Sequence, residues 1–229
     1  MKTIGLIGGM SWESSAVYYK LINQHVRELK GGTHSCPSIM WSMDFNQIER
    51  WQHEGRWDLL NNAMAHAAQK LEDAGAELII LCTNTMHLCY DAIISAIEVP
   101  FLHIAEATGQ AIKAAGLKKV GLLGTLFTME KGFYADWLEK RFEIDTIIPN
   151  ETGRHVIHKV IYDELVQGNI TKASKEAFLK VINRLVTEGA EGIILGCTEI
   201  PLLVQQEDVE IPLFDTTAIH AEAAVNKAM

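Results

Sequence analysis

One stretch of this chain is written twice. Gly189-Ala-Glu-Gly-Ile-Ile-Leu-Gly-Cys-Thr-Glu199 aligns without a gap on Gly75-Ala-Glu-Leu-Ile-Ile-Leu-Cys-Thr-Asn-Thr85. Each copy contains an unbroken apolar run, as expected of a parallel strand covered on both faces, and ends in small and polar residues where a sheet should stop. Further landmarks repeat in the same order. Lys2-Thr-Ile-Gly-Leu-Ile-Gly8 echoes Lys118-Lys-Val-Gly-Leu-Leu-Gly124, and Val99-Pro-Phe-Leu102 echoes Ile211-Pro-Leu-Phe214. A repeat half the chain long means two copies of one α/β unit, not a solenoid. The expected fold is therefore α/β: two pseudo-symmetric lobes, each a parallel sheet flanked by helices, with the active site in the cleft between them. The expected bounds are residues 1–116 and 117–215, with a closing helix over 216–229 that can pack back on the first lobe.

The alignment also sets a register. Thr83 falls opposite Cys197, and Cys82 falls opposite Gly196. Side chains alternate between the two faces of a strand, so Cys82 points away from the direction Thr83 and Cys197 share. Ligands of open α/β sheets bind at the carboxyl ends of strands, where these two residues lie.

The chain reads as β and α segments in alternation. A first strand over Thr3 to Ile7 runs into the turn Gly8-Gly9-Met10-Ser11, with Ser11 as N-cap and Glu13 in the first helical turn. Gly5, Gly8 and Gly9 do not fit a dinucleotide fingerprint. The first helix is expected to bury Val17, Leu21 and Val26. Arg50 and Gln52 lie in a segment able to lean over the site. Strands are expected over 38–43, 77–82, 99–104, 118–124, 144–148, 193–196 and 212–215. Met129, Phe133 and Trp137 are expected to pattern one helix, and Phe178, Ile182 and Leu185 another.

Composition narrows the function. With 229 residues, 48% of them hydrophobic, a sizeable core is attainable. The net charge of −9 argues against nucleic acid or an anionic membrane as partner. Cys36, Cys82, Cys89 and Cys197 form no zinc spacing and are too sparse for a disulfide scaffold, which suits a reducing cytoplasm. The first apolar run is too short and glycine-broken to be expected to act as a signal peptide, and no apolar run reaches the roughly 20 residues of a membrane helix.

The pair Thr83-Asn-Thr-x-His87 and Gly196-Cys-Thr-Glu199, with the Gly-Gly-Met turn at 8–10, resembles the aspartate/glutamate racemase family over nearly the whole chain. The family's usual motifs are Cys-Asn-Thr and Gly-Cys-Thr-Glu, so this chain departs at Thr83. The resemblance implies a racemase without cofactor or metal, acting on a small amino acid, aspartate or glutamate, as a homodimer. Cys197 and Thr83 would be the catalytic pair on opposite faces of the α-carbon, with Cys197 facing the α-proton of the L enantiomer. Met10 and Gln52 would contact substrate.

The residues support that chemistry. Inverting an α-carbon needs a base on one face and an acid on the other. Cys197 precedes a helical turn, where a thiol acidity is expected to rise, while Thr83 can deliver a proton but scarcely remove one unaided. Asn84, Thr85 and Thr198 are natural donors to the substrate carboxylates and the developing enolate-like charge. His87, His103 and His220 read as structural histidines, and Cys36, Cys82 and Cys89 as small buried hydrophobes. Two alternatives remain: another reaction of the superfamily, such as arylmalonate decarboxylation by a lone thiol, and a non-catalytic amino-acid binding protein.

Overall fold

A computed structural model describes all of residues 1–229. The first compact unit comprises Met1–Ile104 and His220–Met229, the second Ala105–Ile219.

In the first unit β1 (Ile4–Gly8) leads to α1 (Trp12–Lys30), β2 (Ser38–Ser42), α2 (Phe45–His53), α3 (Trp57–Asp73), β3 (Leu78–Leu81) and the short α4 (Tyr90–Ile94). The sheet is parallel, in the order β2-β1-β3. Strand alternation divides its two faces. Leu78, Ile80 and Cys82 pack with Ile4 and Leu6 against Tyr18, Ile22 and Val26 of α1, and with Ala221, Ala224 and Val225. Ile79 and Leu81 pack with Ile7 against Leu60, Met64, Ala68 and Leu71 of α3.

The second unit runs α5 (Ile104–Ala114), β4 (Lys119–Gly124), α6 (Leu126–Glu130), α7 (Phe133–Phe142), β5 (Asp145–Ile147), α8 (Glu151–Asp163), α9 (Lys172–Thr187), β6 (Ile193–Gly196), α10 (Ile200–Leu203), β7 (Leu213–Asp215) and α11 (Thr216–Ala228). Ile104 of α5 and His220–Ala228, most of α11, belong to the first unit. Its sheet is parallel, ordered β5-β4-β6-β7. Helix α9 shows why these segments fold as they do. Thr171 caps it by accepting the Ser174 N–H, and Phe178, Ile182 and Leu185 form its buried stripe against Ile193 and Leu195. Truncating Phe178 to alanine should cost about 3–5 kcal/mol.

The structure differs from the sequence reading in four places. Helix α1 buries Ser14, Ser15, Tyr18, Ile22 and Val26, while Val17 is 41% exposed. The inward face carries two serines that a hydropathy pattern discounts, and Tyr18 turns inward because its hydroxyl meets His220 Nδ1 at 2.9 Å. Residues 99–104 form no strand. They contribute one bridge, Phe101 to Ile79, in the place that β7 takes beside β6. The helix after β3, which the sequence leads one to expect through Ile97, ends at Ile94 and follows a 3-10 turn over Thr85–Cys89. The helix expected through Met129, Phe133 and Trp137 is broken by Gly132, at φ +72°, into α6 and α7, and α7 buries Tyr134 and Leu138.

Candidate active site

The amino-terminal turn of the first unit depends on one glycine. Gly9 has φ +86°, and a Cβ there would stand 2.2 Å from the Met43 carbonyl oxygen, so no other residue fits. Its N–H donates to Ser15 Oγ at 2.7 Å, and Ser11 caps α1 by accepting the Ser14 N–H. The turn buries Met10 among the side chains that include Ile48 and Met86.

The segment after β3 is tied down at successive carbonyls. Ser14 Oγ donates to the Cys82 carbonyl at 2.8 Å, and the His87 ring nitrogen Nδ1 lies 2.9 Å from the Thr83 carbonyl. The His87 N–H donates to the Asn84 carbonyl at 3.0 Å. Asn84 and Thr85 are buried, and Thr83 is half-buried. Gln52, buried on α2, donates through Nε2 to the Met86 sulfur at 3.0 Å. Within this unit the structure therefore brings Met10 and Gln52 to the same cluster as the turn that carries Thr83, Asn84 and Thr85. Cys82 goes to the other face of the sheet, with Leu78 and Ile80.

In the second unit β6 ends at a glycine for a packing reason. A Cβ on Gly196 would lie 2.7 Å from the Leu123 carbonyl oxygen of β4. The next residue, Cys197, is partly buried against the core that holds Ile193 and Leu195. Its thiol donates to Glu199 Oε2 at 2.9 Å, and the Thr198 hydroxyl donates to the same oxygen at 2.8 Å. Thr83, the counterpart of Cys197 in the sequence alignment, lies two residues after β3, and Cys197 directly after β6.

The thiol acidity corrects an expectation. Burial, and then the Glu199 carboxylate as charge and as hydrogen-bond acceptor, push the Cys197 thiol well above its ordinary range. Helix α10 is only one turn long, and its dipole does not offset a carboxylate in contact with the sulfur. Cys197 is therefore a thiol held by a carboxylate, not a resting thiolate. The other cysteines are also raised by burial, Cys36 to about 11 and Cys89 to about 12.

Sequence reasoning missed Glu199, Ser14 and the contacts of His87. Glu199 stands two residues from the thiol, a spacing visible in Gly-Cys-Thr-Glu, but only the turn geometry shows the contact. No group of three His, Cys, Asp or Glu side chains is placed to hold a metal ion. No helix is long and apolar enough to cross a membrane.

Comparison with known proteins agrees with this architecture. The chain is 25% identical to the broad specificity amino-acid racemase of Bacillus subtilis, covering 97% of this chain and 96% of that one. A solved structure from Yersinia pestis, described as a candidate Asp/Glu racemase, superposes with a TM-score of 0.95 at 50% identity, covering 100% of this chain and 99% of that one. An aspartate racemase homologue from Pyrococcus horikoshii superposes at 0.88 with 36% identity, again over 100% and 99% of the two chains. The family model for Asp/Glu/hydantoin racemases matches residues 7–224. The chain belongs to the Asp/Glu/hydantoin racemase family.

Proposed function

We propose that this protein racemises amino acids of the aspartate/glutamate type, using its own side chains as acid and base. The observation that carries the reading is the contact between Cys197 and Glu199 at the end of β6. A thiol whose proton is already directed at a carboxylate can pass that proton to Glu199 when substrate arrives. The resulting thiolate takes the α-proton from the L face, and electrons flow into the substrate carboxylate as an enolate-like anion. Thr83, the counterpart of Cys197 in the sequence alignment, returns a proton to the opposite face and is reloaded from solvent. Asn84, Thr85 and Thr198 supply donors to the anionic oxygens, with Met10 and Gln52 shaping the substrate's surroundings. The names of the Bacillus and Pyrococcus relatives support an amino-acid substrate and, within that class, an acidic one.

Lone-thiol decarboxylation of an arylmalonate-type acid is the second reading. It is favoured only by the hydroxyl, in place of a thiol, at position 83.

Replacing Cys197 by alanine should abolish both inversion and α-proton exchange of aspartate and glutamate while circular dichroism shows an intact fold. Retained exchange in that variant would remove Cys197 from the mechanism. Turnover of an arylmalonate, with no amino-acid exchange in the unaltered protein, would establish the second reading.

A further inference from the structure

Thr83 can serve the face opposite Cys197 only if its hydroxyl is held in one direction. The Thr83 main chain is set by the two peptide planes that flank it, because each plane is rigid. The plane before it is fixed through the Cys82 carbonyl, which accepts from Ser14 Oγ at 2.8 Å. The plane after it ends in the Thr83 carbonyl, 2.9 Å from His87 Nδ1.

The protonation of His87 follows from its partners. The Ile104 N–H donates to His87 Nε2 at 3.1 Å, and a peptide N–H can only donate. Nε2 therefore carries the lone pair and Nδ1 the proton. That proton points at the Thr83 carbonyl and, at 3.3 Å, the Asn84 carbonyl. The imidazole thus ties the turn after β3 to the first residue of α5.

The surroundings keep the ring neutral. His87 is 1% exposed. Its ring lies 4.5 Å from that of His103 and 5.8 Å from that of His220, with Phe101 at 5.7 Å. His220 donates from Nε2 to the Leu102 carbonyl, and burial favours its neutral form, which leaves Nδ1 to accept from the Tyr18 hydroxyl. Tyr90 packs on His103. Burial and the neighbouring imidazoles all oppose a charge on His87.

We propose that His87 is a positioning residue for Thr83: its Nδ1–H fixes the peptide plane that follows Thr83 and so aims the hydroxyl that reprotonates the substrate. The proposal rests on the reading of Thr83 given above. It differs from a packing role in what it controls. Removing a packing residue lowers the fraction of folded protein, and every rate falls together. Losing the aim of Thr83 lowers inversion while exchange through Cys197 with return to the L enantiomer persists.

The ratio of inversion to α-proton exchange, measured from L-aspartate or L-glutamate in deuterium oxide, separates the two roles because the folded fraction cancels. His87→Leu should lower that ratio by about tenfold, the effect of one hydrogen bond at a reacting group. His87→Asn places an amide N–H near the position of Nδ1–H, and should keep the ratio within about threefold of the original. Thr83→Ala serves as control and should lower the ratio at least as far as His87→Leu. An unaltered ratio in His87→Leu, with Thr83→Ala lowered, overturns the role of His87 and leaves that of Thr83 standing. An unaltered ratio in Thr83→Ala overturns the reading of Thr83 and the proposal with it. A measurement on the unsubstituted chain guards against variants that fail to fold. Nitrogen-15 NMR at neutral pH should show His87 as the neutral Nδ1–H tautomer, and the Nε2–H tautomer would overturn the proposal.

Discussion

Acid should destabilise the first unit through its buried histidines. His220 is fully buried, with its two ring nitrogens occupied by Tyr18 and the Leu102 carbonyl. Burial lowers its pKa from 6.5 to about 4. The folded pKa lies below the unfolded one, so between these values the unfolded chain holds a proton that the native state does not. Stability is therefore complete above the unfolded value and declines as pH falls toward the folded one. Each pH unit in that window costs about 1.4 kcal/mol, so a drop to about pH 5 costs about 2 kcal/mol through His220 alone. His87 is lowered in the same direction, and its contribution over the same interval is bounded by the same slope. Domain stabilities are typically about 5–15 kcal/mol, so this loss is large. Urea unfolding followed by tryptophan fluorescence suits the test, because Trp12, Trp41, Trp51 and Trp57 all lie in the unit that contains His220. His220→Gln keeps a donor for the Leu102 carbonyl and removes the titration. It should be about 1 kcal/mol less stable than the original at neutral pH. Its further loss between about pH 7.5 and pH 5 should be about 2 kcal/mol smaller than that of the unsubstituted protein. Parallel stability curves for the two proteins would refute the argument.

Other expectations concern the two strand ends. Glu199→Gln removes the charge and the carboxylate acceptor beside the sulfur, so the Cys197 thiol should titrate at lower pH. The pH dependence of Cys197 alkylation by iodoacetamide, read by peptide mass spectrometry, measures this, and an unmoved midpoint would show that the carboxylate does not act on the sulfur. Thr83→Cys should raise the ratio of inversion to exchange, since a thiol is the better proton relay; a ratio that stays level or falls would count against Thr83 as the second group. Cys82→Ser should leave inversion far less impaired than loss of Cys197 does. Equal damage would mean that Cys82 supplies the second thiol and that the assigned register is wrong.

Much of this architecture is legible in the sequence because burial on both faces of a sheet leaves uninterrupted apolar runs. Ile4 to Ile7, Leu78 to Leu81 and Ile193 to Leu195 are such runs, and each is a strand core. Strand parity then puts Cys82 on the face of Leu78 and Ile80, and it packs with them. Polar residues on buried faces are harder to read. Ser14, Ser15 and Tyr18 face inward on α1 because their hydroxyls find partners that are remote or turn-related, such as the Cys82 carbonyl and His220. The acidity of Cys197 was misread because helix position suggests a lowered pKa, whereas the dominant influences are burial and Glu199. His87 stands one helical turn after Thr83, a visible spacing, yet its tautomer is decided by the amide of Ile104, distant in sequence.

The proposed mechanism rests on an unequal pair, Cys197 a carboxylate-linked thiol and Thr83 a hydroxyl. It is tested most directly by paired time courses of deuterium uptake and optical rotation, begun separately from pure L and pure D aspartate or glutamate. The enantiomers have equal free energy in water, so kcat/KM must be equal in the two directions, and the inequality of the pair can appear only in kcat and KM changing together and in exchange with retention. The L substrate should take up deuterium faster than it inverts, because Cys197, once the captured proton has exchanged with solvent deuterons, often returns a deuteron to the face it deprotonated, and the D substrate should be deprotonated slowly. Uptake and inversion keeping step from the L substrate would contradict the mechanism.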